Sequence, residues 1–214
     1  MGLIGPGSGY MIRARLLSSA FFARDTVKVA PDLLGKYLVR LTDSGRIIGR
    51  IVEVEAYRGS DDPASHAFRG LTPRNRPMFG DPGHAYVYFT YGNHYCLNIT
   101  TQKSGMPGAV LLRALEPVEG VNVMRRFRPN VPDSELTNGP GKLTKALAID
   151  KSLNEQDMTI RGPLFVADLG KGDLEIWSST RVGIREGLDR LWRFYIKGNP
   201  YVSKRGHVRE RKFR

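Results

Sequence analysis

The stretch Gly49-Arg-Ile-Val-Glu-Val-Glu-Ala-Tyr-Arg-Gly59 decides how the rest of the chain is interpreted. Its β-branched residues favour a strand. Glu53 and Glu55 occupy alternate positions, so both carboxylates share one face of that strand. Tyr57 follows at once, and His66 comes shortly after the stretch ends. Carboxylates followed by a tyrosine and a histidine indicate a site of acid–base chemistry at the end of a strand.

The same stretch has a simpler interpretation that the sequence leaves open. Charged runs are commonly solvated faces. Glu53 and Glu55 would then lie on the surface and pair with the nearby Arg46 and Arg50.

Composition limits the class of protein. The chain has 214 residues, of which 41% are hydrophobic, enough for one substantial core. The net charge of +12 favours a partner rich in phosphate, because lysine and arginine displace the counterions of nucleic acids. A basic protein without a nucleic-acid role is the alternative.

Targeting and redox signals are sparse. No run of about 20 apolar residues is present, so we expect no membrane-spanning segment. The Gly/Pro/Ser-rich start lacks the features of a signal peptide, and we interpret residues 1–18 as a flexible leader. Cys96 is the single cysteine, which excludes an intramolecular disulfide and a cysteine-built zinc site. We therefore expect an intracellular protein with no metal and no cofactor.

Hydrophobic patterns predict a series of strands joined by tight turns. The predicted strands are residues 36–41 and 46–55 around the turn at 43–45, 85–90 and 94–101 around Gly92-Asn93, 109–115, 182–184 and 193–196. Residues 59–82 lack periodicity and are predicted to form a long ordered loop.

Helical patterns occur at residues 117–127 and 138–149. No repeat or linker divides the chain. We predict one α+β domain over residues 19–203, with a curved, mostly antiparallel sheet flanked by helices and long loops. Residues 204–214 form a basic C-terminal tail.

Tyrosines are concentrated between Tyr86 and Tyr95, where four occur in ten residues. Alternation places Tyr86 and Tyr88 on one face of their strand. Tyr91 lies directly before the turn and is predicted at a hairpin tip. An aromatic at an exposed tip of a basic protein suits a base stack or a wedge in a DNA groove. Core positions with satisfied hydroxyls are the alternative, which we favour for Tyr86 and Tyr95.

Three further polar features lie in apolar or turn-forming surroundings. Asn98 sits in an apolar strand, where its amide needs partners or reads the edge of a base. Arg113 sits in another, where Glu55 or a phosphate is the candidate partner. Residues 138–142, Asn-Gly-Pro-Gly-Lys, offer backbone amides and a lysine to a phosphate, although such a sequence is often only a turn.

Taken together, these segments resemble the alkyladenine (methylpurine) DNA glycosylase family over roughly residues 20–203. The resemblance is carried by Arg50-Ile-Val-Glu-Val-Glu-Ala-Tyr57, His66, Thr72-Pro-Arg-Asn-Arg76, Tyr86-Val-Tyr88, Tyr91-Gly92, Cys96-Leu-Asn-Ile99, Leu111-Leu-Arg-Ala-Leu-Glu-Pro117, Gly139-Pro140, Lys142-Leu143 and Arg181-Val-Gly183. After Tyr91 the chain departs from vertebrate members, which carry bulkier apolar residues at the turn.

The resemblance implies a role for individual residues. Glu55 corresponds to the general base that activates water, and Tyr91 to the wedge that replaces an extruded nucleotide. The remaining positions match the base pocket at Tyr57, His66, Tyr88, Asn98 and Val182, and DNA contacts at Arg113, Gly141 and Lys142.

The implied activity is hydrolysis of the N-glycosidic bond of a damaged purine flipped out of duplex DNA. The expected substrates are 3-methyladenine, 7-methylguanine, hypoxanthine and ethenoadenine. No lysine lies in the Glu55 segment to form a Schiff base, so we predict base removal without strand cleavage. We expect a monomer that binds double-stranded DNA and no membrane.

Two other functions remain open at this stage. A metal-dependent nuclease would use Glu53, Glu55, Asp61 and Asp62 to hold Mg²⁺. A non-catalytic module would bind damaged and undamaged duplexes alike.

Overall fold

The computed structural model describes residues 14–170, 172–203 and 209–213. Within these residues ten strands form one antiparallel sheet. They are β1 (Arg15–Leu16), β2 (Tyr37–Thr42), β3 (Gly45–Tyr57), β4 (Ala85–Thr90), β5 (His94–Thr100), β6 (Ala109–Glu119), β7 (Leu164–Asp168), β8 (Ile176–Ser179), β9 (Arg193–Ile196) and β10 (Glu210–Lys212).

The pairing of β3 places Glu53–Glu55 in the interior of a curved sheet. The main path is β1-β7-β2-β3-β6-β5-β4, while β9 also pairs with β3 and continues to β8 and β10. Residues Glu53–Glu55 therefore lie between β6 and β9. The β3–β6 register shifts on both sides of Glu53, and such bulges bend and twist a strand. The predicted α+β domain with a curved antiparallel sheet is confirmed.

Four helices cover the sheet: α1 (Ser19–Phe22), α2 (Thr26–Leu33), α3 (Val121–Phe127) and α4 (Pro140–Ala146). Helix α2 begins where the Asp25 side chain accepts a hydrogen bond from Val27 N–H at 2.9 Å. It packs against β3 and β6, and α4 packs against β5 and β6. The shared core includes Val29, Val54 and Leu143, so the helices hold the central strands from one side.

Both predicted hairpins are present, as β2–β3 and β4–β5. The predicted helix at 117–127 is wrong at its start, because β6 continues through Pro117 to Glu119. Pro117 pairs opposite Gly49 at a register shift, where a proline is tolerated. Gly120, with a left-handed φ of 79°, then turns the chain into α3.

The predicted strand at 182–184 is also wrong. These residues form an irregular loop, and Gly183 has a φ of 76° that interrupts an extended run. Strands β7 and β8 have no counterpart in the sequence-based assignment. The predicted helix at 138–149 is shorter, covering Pro140–Ala146.

Parts of the predicted leader and tail lie outside the described residues. Of residues 1–18 the structure describes 14–18, where β1 pairs with β7. Of residues 204–214 it describes 209–213, where β10 pairs with β8. The domain boundaries at 18/19 and 203/204 stay predictions.

Candidate active site

Glu55 is buried at the centre of the sheet, with no exposed surface. Its Oε1 accepts a hydrogen bond from Val182 N–H at 2.7 Å. Its Oε2 accepts one from the Tyr57 hydroxyl at 2.8 Å and one from Arg113 Nη1 at 3.3 Å. These three donated bonds occupy both oxygens of the carboxylate and fix its orientation.

Glu53, on the same face, is also fully buried. Its carboxylate accepts from Arg113 Nε at 3.0 Å, from Arg193 Nε at 2.7 Å and from the backbone N–H of Ser203 at 2.7 Å. Burial alone would raise the pKa of Glu53, but the Arg113 and Arg193 guanidinium groups outweigh it and lower that pKa. Glu53 therefore fixes Arg113, which in turn contacts Glu55.

The surface interpretation of the two glutamates is wrong. Arg46 pairs with Glu119 and Arg50 with Glu116, on the part of β3 that precedes the buried carboxylates. Arg113 does contact Glu55, one of the two partners that its sequence setting indicated, and it contacts Glu53 as well.

A cavity of about 450 Å³ opens beside this network. The predicted site residues that line it are Tyr57, His66, Tyr88, Tyr91, Asn98, Arg113 and Val182. Its size falls within the range of small-molecule pockets. The Tyr57 hydroxyl and the Val182 amide both touch Glu55, so the carboxylate lies directly behind the cavity wall.

Aromatic rings form one side of this cavity. The ring centroids of His66 and Tyr88 are 4.7 Å apart in an edge-on arrangement. His66 Nδ1 lies 2.9 Å from the Tyr86 hydroxyl, which confirms the expectation of a buried Tyr86 with a satisfied hydroxyl. Burial and the charge of Arg74 lower the pKa of His66, and burial raises the pKa of Tyr86 to about 12. At neutral pH these rings are uncharged.

Two residues next to Tyr88 have contacts that the sequence interpretation did not assign. Cys96 pairs opposite Tyr88 in the β4–β5 hairpin, and burial raises the pKa of its thiol to about 11, so it is a weak nucleophile. The guanidinium of Arg74 lies 5.0 Å from the Tyr88 ring centroid, within cation–π range. Both residues lie in segments that carry the family resemblance, Thr72–Arg76 and Cys96–Ile99, but the sequence assigns neither of them a role in the pocket.

Asn98 is almost fully buried in β5 and lines the same cavity. Its Nδ2 donates a hydrogen bond to the backbone carbonyl of Tyr86 at 3.1 Å. This bond fixes the orientation of the amide beside the aromatic rings. The amide therefore has the structural partner that its apolar setting requires and a position at the cavity wall.

Tyr91 stands at the tip of the β4–β5 hairpin, with 82% of its surface exposed. Its backbone has a φ of 50°, in the left-handed region that non-glycine residues rarely adopt. The predicted exposed tip is confirmed. Tyr91 lies at the junction between the cavity and a second, open groove of about 1050 Å³.

The open groove is lined by the start of α4. Gly141 and Lys142 both face it, and Lys142 Nζ donates to Asn138 Oδ1 at 2.8 Å. Gly141 packs against the ring of His94 so closely that a Cβ there would lie 2.4 Å from it. The groove thus brings the hairpin and the Gly-Pro-Gly-Lys segment together, beside the cavity.

The arrangement of carboxylates disfavours the nuclease alternative. Asp62 is bound at both oxygens by Arg181, and Glu53 is bound by two arginines. Within the described part of the chain, no three side chains of the metal-binding types come together. Over the same residues, no helix combines the length and the apolar character needed to cross a bilayer.

Comparisons with known proteins identify relatives of this chain. Residues 20–200 match the model of the methylpurine-DNA glycosylase (MPG) family. Proteins named "Putative 3-methyladenine DNA glycosylase" are similar over nearly their full lengths. The one from Carboxydothermus hydrogenoformans is 50% identical over 89% of this chain and 100% of its own length.

Relatives from two further organisms show comparable identity. The protein of the same name from Methanocella arvoryzae is 49% identical over 89% of this chain and 96% of its own length. That from Legionella pneumophila strain Lens is 46% identical over 89% and 99%, respectively. On the matched length and these identities, the chain belongs to the methylpurine-DNA glycosylase family.

Proposed function

We propose that this protein is a base-excision DNA glycosylase that flips damaged purines out of duplex DNA and hydrolyses their N-glycosidic bond. The observation that carries this proposal is the Glu55 carboxylate, buried behind an aromatic cavity and bound by Val182 N–H, Tyr57 and Arg113. A carboxylate directly behind the wall of such a cavity is placed to assist the hydrolysis of an extruded nucleotide.

Extrusion comes first, because the reacting carbon of a stacked nucleotide is out of reach. Tyr91 is exposed at the hairpin tip and borders both the cavity and the open groove. In that position its ring fills the gap left by the flipped nucleotide and keeps the base from returning. The open groove beside it, with Gly141 and Lys142, takes the DNA backbone.

Hydrolysis follows from the position of Glu55. Breaking the bond between sugar and purine builds positive charge on the sugar, as in other glycoside hydrolyses. Glu55 stabilises that charge and takes a proton from the attacking water. Arg113 holds Oε2 in place and is itself held by Glu53.

The product is an abasic site in an intact strand. A Schiff-base route needs a lysine amine at the reacting sugar. None of the described residues that line the cavity is a lysine, and Lys142 lies in the open groove. We therefore propose a monofunctional enzyme.

Recognition rests on the uncharged rings of Tyr57, His66 and Tyr88. Alkylated purines such as 3-methyladenine and 7-methylguanine carry positive charge, which aromatic faces attract by about 0.5–2 kcal/mol. Asn98 crowds the amino group of normal guanine, as the family resemblance implies. Hypoxanthine and ethenoadenine are the neutral lesions in the proposed substrate range. The partner is damaged double-stranded DNA within the cell, bound by a monomer whose net charge is +12.

The test is base release from a panel of duplexes, each carrying one lesion, with and without EDTA. We expect free base and an intact abasic strand, unaffected by the chelator. Strand scission that EDTA stops would instead establish a metal-dependent nuclease. Equal binding to damaged and undamaged duplex with no base released would establish a binding module.

A further inference from the structure

Asp62 and Arg181 form a fully buried ion pair beside the proposed active site. Arg181 Nη1 lies 2.6 Å from Asp62 Oδ2, and Nη2 lies 2.7 Å from Oδ1, so both ends of the carboxylate are bound. Neither side chain has exposed surface. Such a pair is costly to desolvate, and its retention in a core calls for a reason beyond stability.

Arg181 also holds the end of β3 that carries the proposed base. Its Nη1 donates to the carbonyl of Ala56 at 2.9 Å, one residue after Glu55. Its guanidinium lies 4.7 Å from the centroid of the Tyr57 ring. One side chain therefore contacts the two residues that follow the carboxylate.

Arg181 also begins a loop, residues 181–187, that we call the wall loop. Residues 182–186 of this loop line the cavity. The backbone N–H of Val182 is the donor to Glu55 Oε1 at 2.7 Å. The position of this donor depends on where Arg181 is held.

The far end of the wall loop packs on the same ion pair. A Cβ added at Gly187 would lie 2.9 Å from Arg181 Nη2, and the φ of +67° is in the left-handed region. Gly187 thus allows the loop to close over the pair. Both ends of the wall loop are set by Arg181 and Asp62.

Asp62 also fixes the backbone of its own loop, residues 58–64. It accepts hydrogen bonds from the backbone N–H of Arg58 at 3.0 Å and of Ala64 at 3.3 Å. Ala64 and its neighbour Pro63 line the same cavity as the wall loop. One buried carboxylate therefore closes a turn on one side and fixes an arginine on the other.

We propose that Asp62 and Arg181 are positioning residues for base release, a proposal that rests on the function proposed above. They hold the wall loop so that the Val182 amide stays on Glu55 and the Tyr57 ring stays against the cavity. Neither residue touches the substrate. Displacement of a catalytic group by about 1 Å is enough to cost about 100-fold in rate.

The test is single-turnover base release by Asp62→Asn, Arg181→Lys and Gly187→Ala, using the lesion duplex that the unaltered protein cleaves fastest. We expect the maximal rate to fall by roughly 10- to 100-fold in each variant. The enzyme concentration giving half-maximal rate should change by less than about 3-fold. Gly187→Ala keeps both charges. If the other two variants do not fold, the rate of Gly187→Ala tests the positioning role on its own.

Asp168→Asn is the matched control. It removes the Lys36–Asp168 ion pair on β7, which is partly buried and does not line the cavity. Each variant is first shown to be folded at the assay temperature by thermal unfolding. The control should keep the wild-type rate.

Three outcomes separate the possibilities. Wild-type rates in folded Asp62 and Arg181 variants, or a loss equal to that of Asp168→Asn, overturn the positioning role. A rise in half-maximal concentration with an unchanged rate overturns it as well, in favour of substrate binding. An unaltered protein that releases no base from any duplex defeats the proposed function itself.

Discussion

The buried end of β3 (Glu53–Tyr57) and the hairpin tip (Thr90–His94) are organised in opposite ways. At the buried end, each carboxylate oxygen of Glu53 and Glu55 accepts at least one hydrogen bond. At the tip, Tyr91 is 82% exposed and has a left-handed backbone, as does Gly92 with a φ of 67°. Both regions border the same cavity but depend on different interactions.

The difference fits the roles that we propose for the two regions, a general base at the buried end and a wedge at the tip. A carboxylate that acts on a sugar gains strength in a low-dielectric site, and there it must be fully hydrogen-bonded. A wedge must reach into DNA, so its ring cannot be packed against its own protein. Changes at the buried end should therefore affect chemistry and folding, and changes at the tip should affect mainly recognition.

The largest effect is expected from Glu55→Gln. Loss of a general base lowers a rate by about 10²- to 10⁴-fold, so base release should almost disappear while the lesion duplex still binds. Single-turnover release and equilibrium binding measure the two properties separately. Glu119→Gln, on a half-exposed ion pair of β6, is the control and should keep full activity. Preserved turnover in the Glu55 variant would remove this residue from the chemistry.

A second large effect, on folding, is expected from Glu53→Ala. The substitution leaves the Arg113 and Arg193 guanidinium groups buried without their shared carboxylate. Breaking a buried pair in this way costs about 3–5 kcal/mol in the free energy of unfolding. Urea denaturation measures it, with Glu116→Ala on a partly exposed pair as the reference. A loss below about 1 kcal/mol, typical of a surface pair, would contradict the account of Glu53.

Glu53 should make the folded protein less stable at low pH. Its pKa is lowered on folding, so its contribution is fully present above the ordinary value of 4.5. That contribution is lost as the pH falls through the folded-state pKa, below 4.5. Urea denaturation in steps from pH 7 to pH 3 should show this loss in the unaltered protein and a shallower one in Glu53→Gln. Parallel curves for the two proteins would show that Glu53 titrates alike in both states.

The two regions also differ in how well the sequence predicts them. Alternation and turn residues placed the β4–β5 hairpin and Tyr91 at its tip, because these are local properties. Glu53 was recognised as part of a strand, but its partner Arg193 lies 140 residues away, and Arg181 lies 119 residues from Asp62. No local pattern links such residues. Only the tertiary fold shows that the carboxylates are buried.

The failures in secondary structure have a similar origin. Pro117 is typical of a helix start, yet pairing with β3 extends β6 past it. Val182 and Ile184 have strand chemistry, yet Gly183 between them has a left-handed φ of 76°, and Val182 N–H donates to the Glu55 side chain. In both places tertiary contacts prevail over local propensity.

At the tip, Tyr91→Ser should weaken binding of a lesion duplex by about 1–3 kcal/mol, the range for one lost aromatic stack. Binding of undamaged duplex should change less, because it depends on charge. The free energy of unfolding should stay the same, since the ring is exposed. Fluorescence anisotropy on both duplexes gives the comparison, with exposed Leu41→Ser as the control. Equal losses on the two duplexes would reduce Tyr91 to a general surface contact.

The smallest effect is expected from Gly92→Ala. Gly92 has a φ of 67° and no atom within 4 Å of an added Cβ, so the change strains the backbone without a clash. A non-glycine residue in the left-handed region costs roughly 1 kcal/mol in stability. We expect the tip to reduce this strain in part by a change of backbone conformation that displaces the neighbouring Tyr91. Gly105→Ala is closely matched, with a φ of 84° and the same open surroundings, but it lies outside the hairpin. Both variants should lose similar stability, and only Gly92→Ala should bind the lesion duplex a few-fold more weakly. If the two variants bind equally well, the conformation of the tip is not part of recognition, and exposure of the Tyr91 ring alone is what matters there.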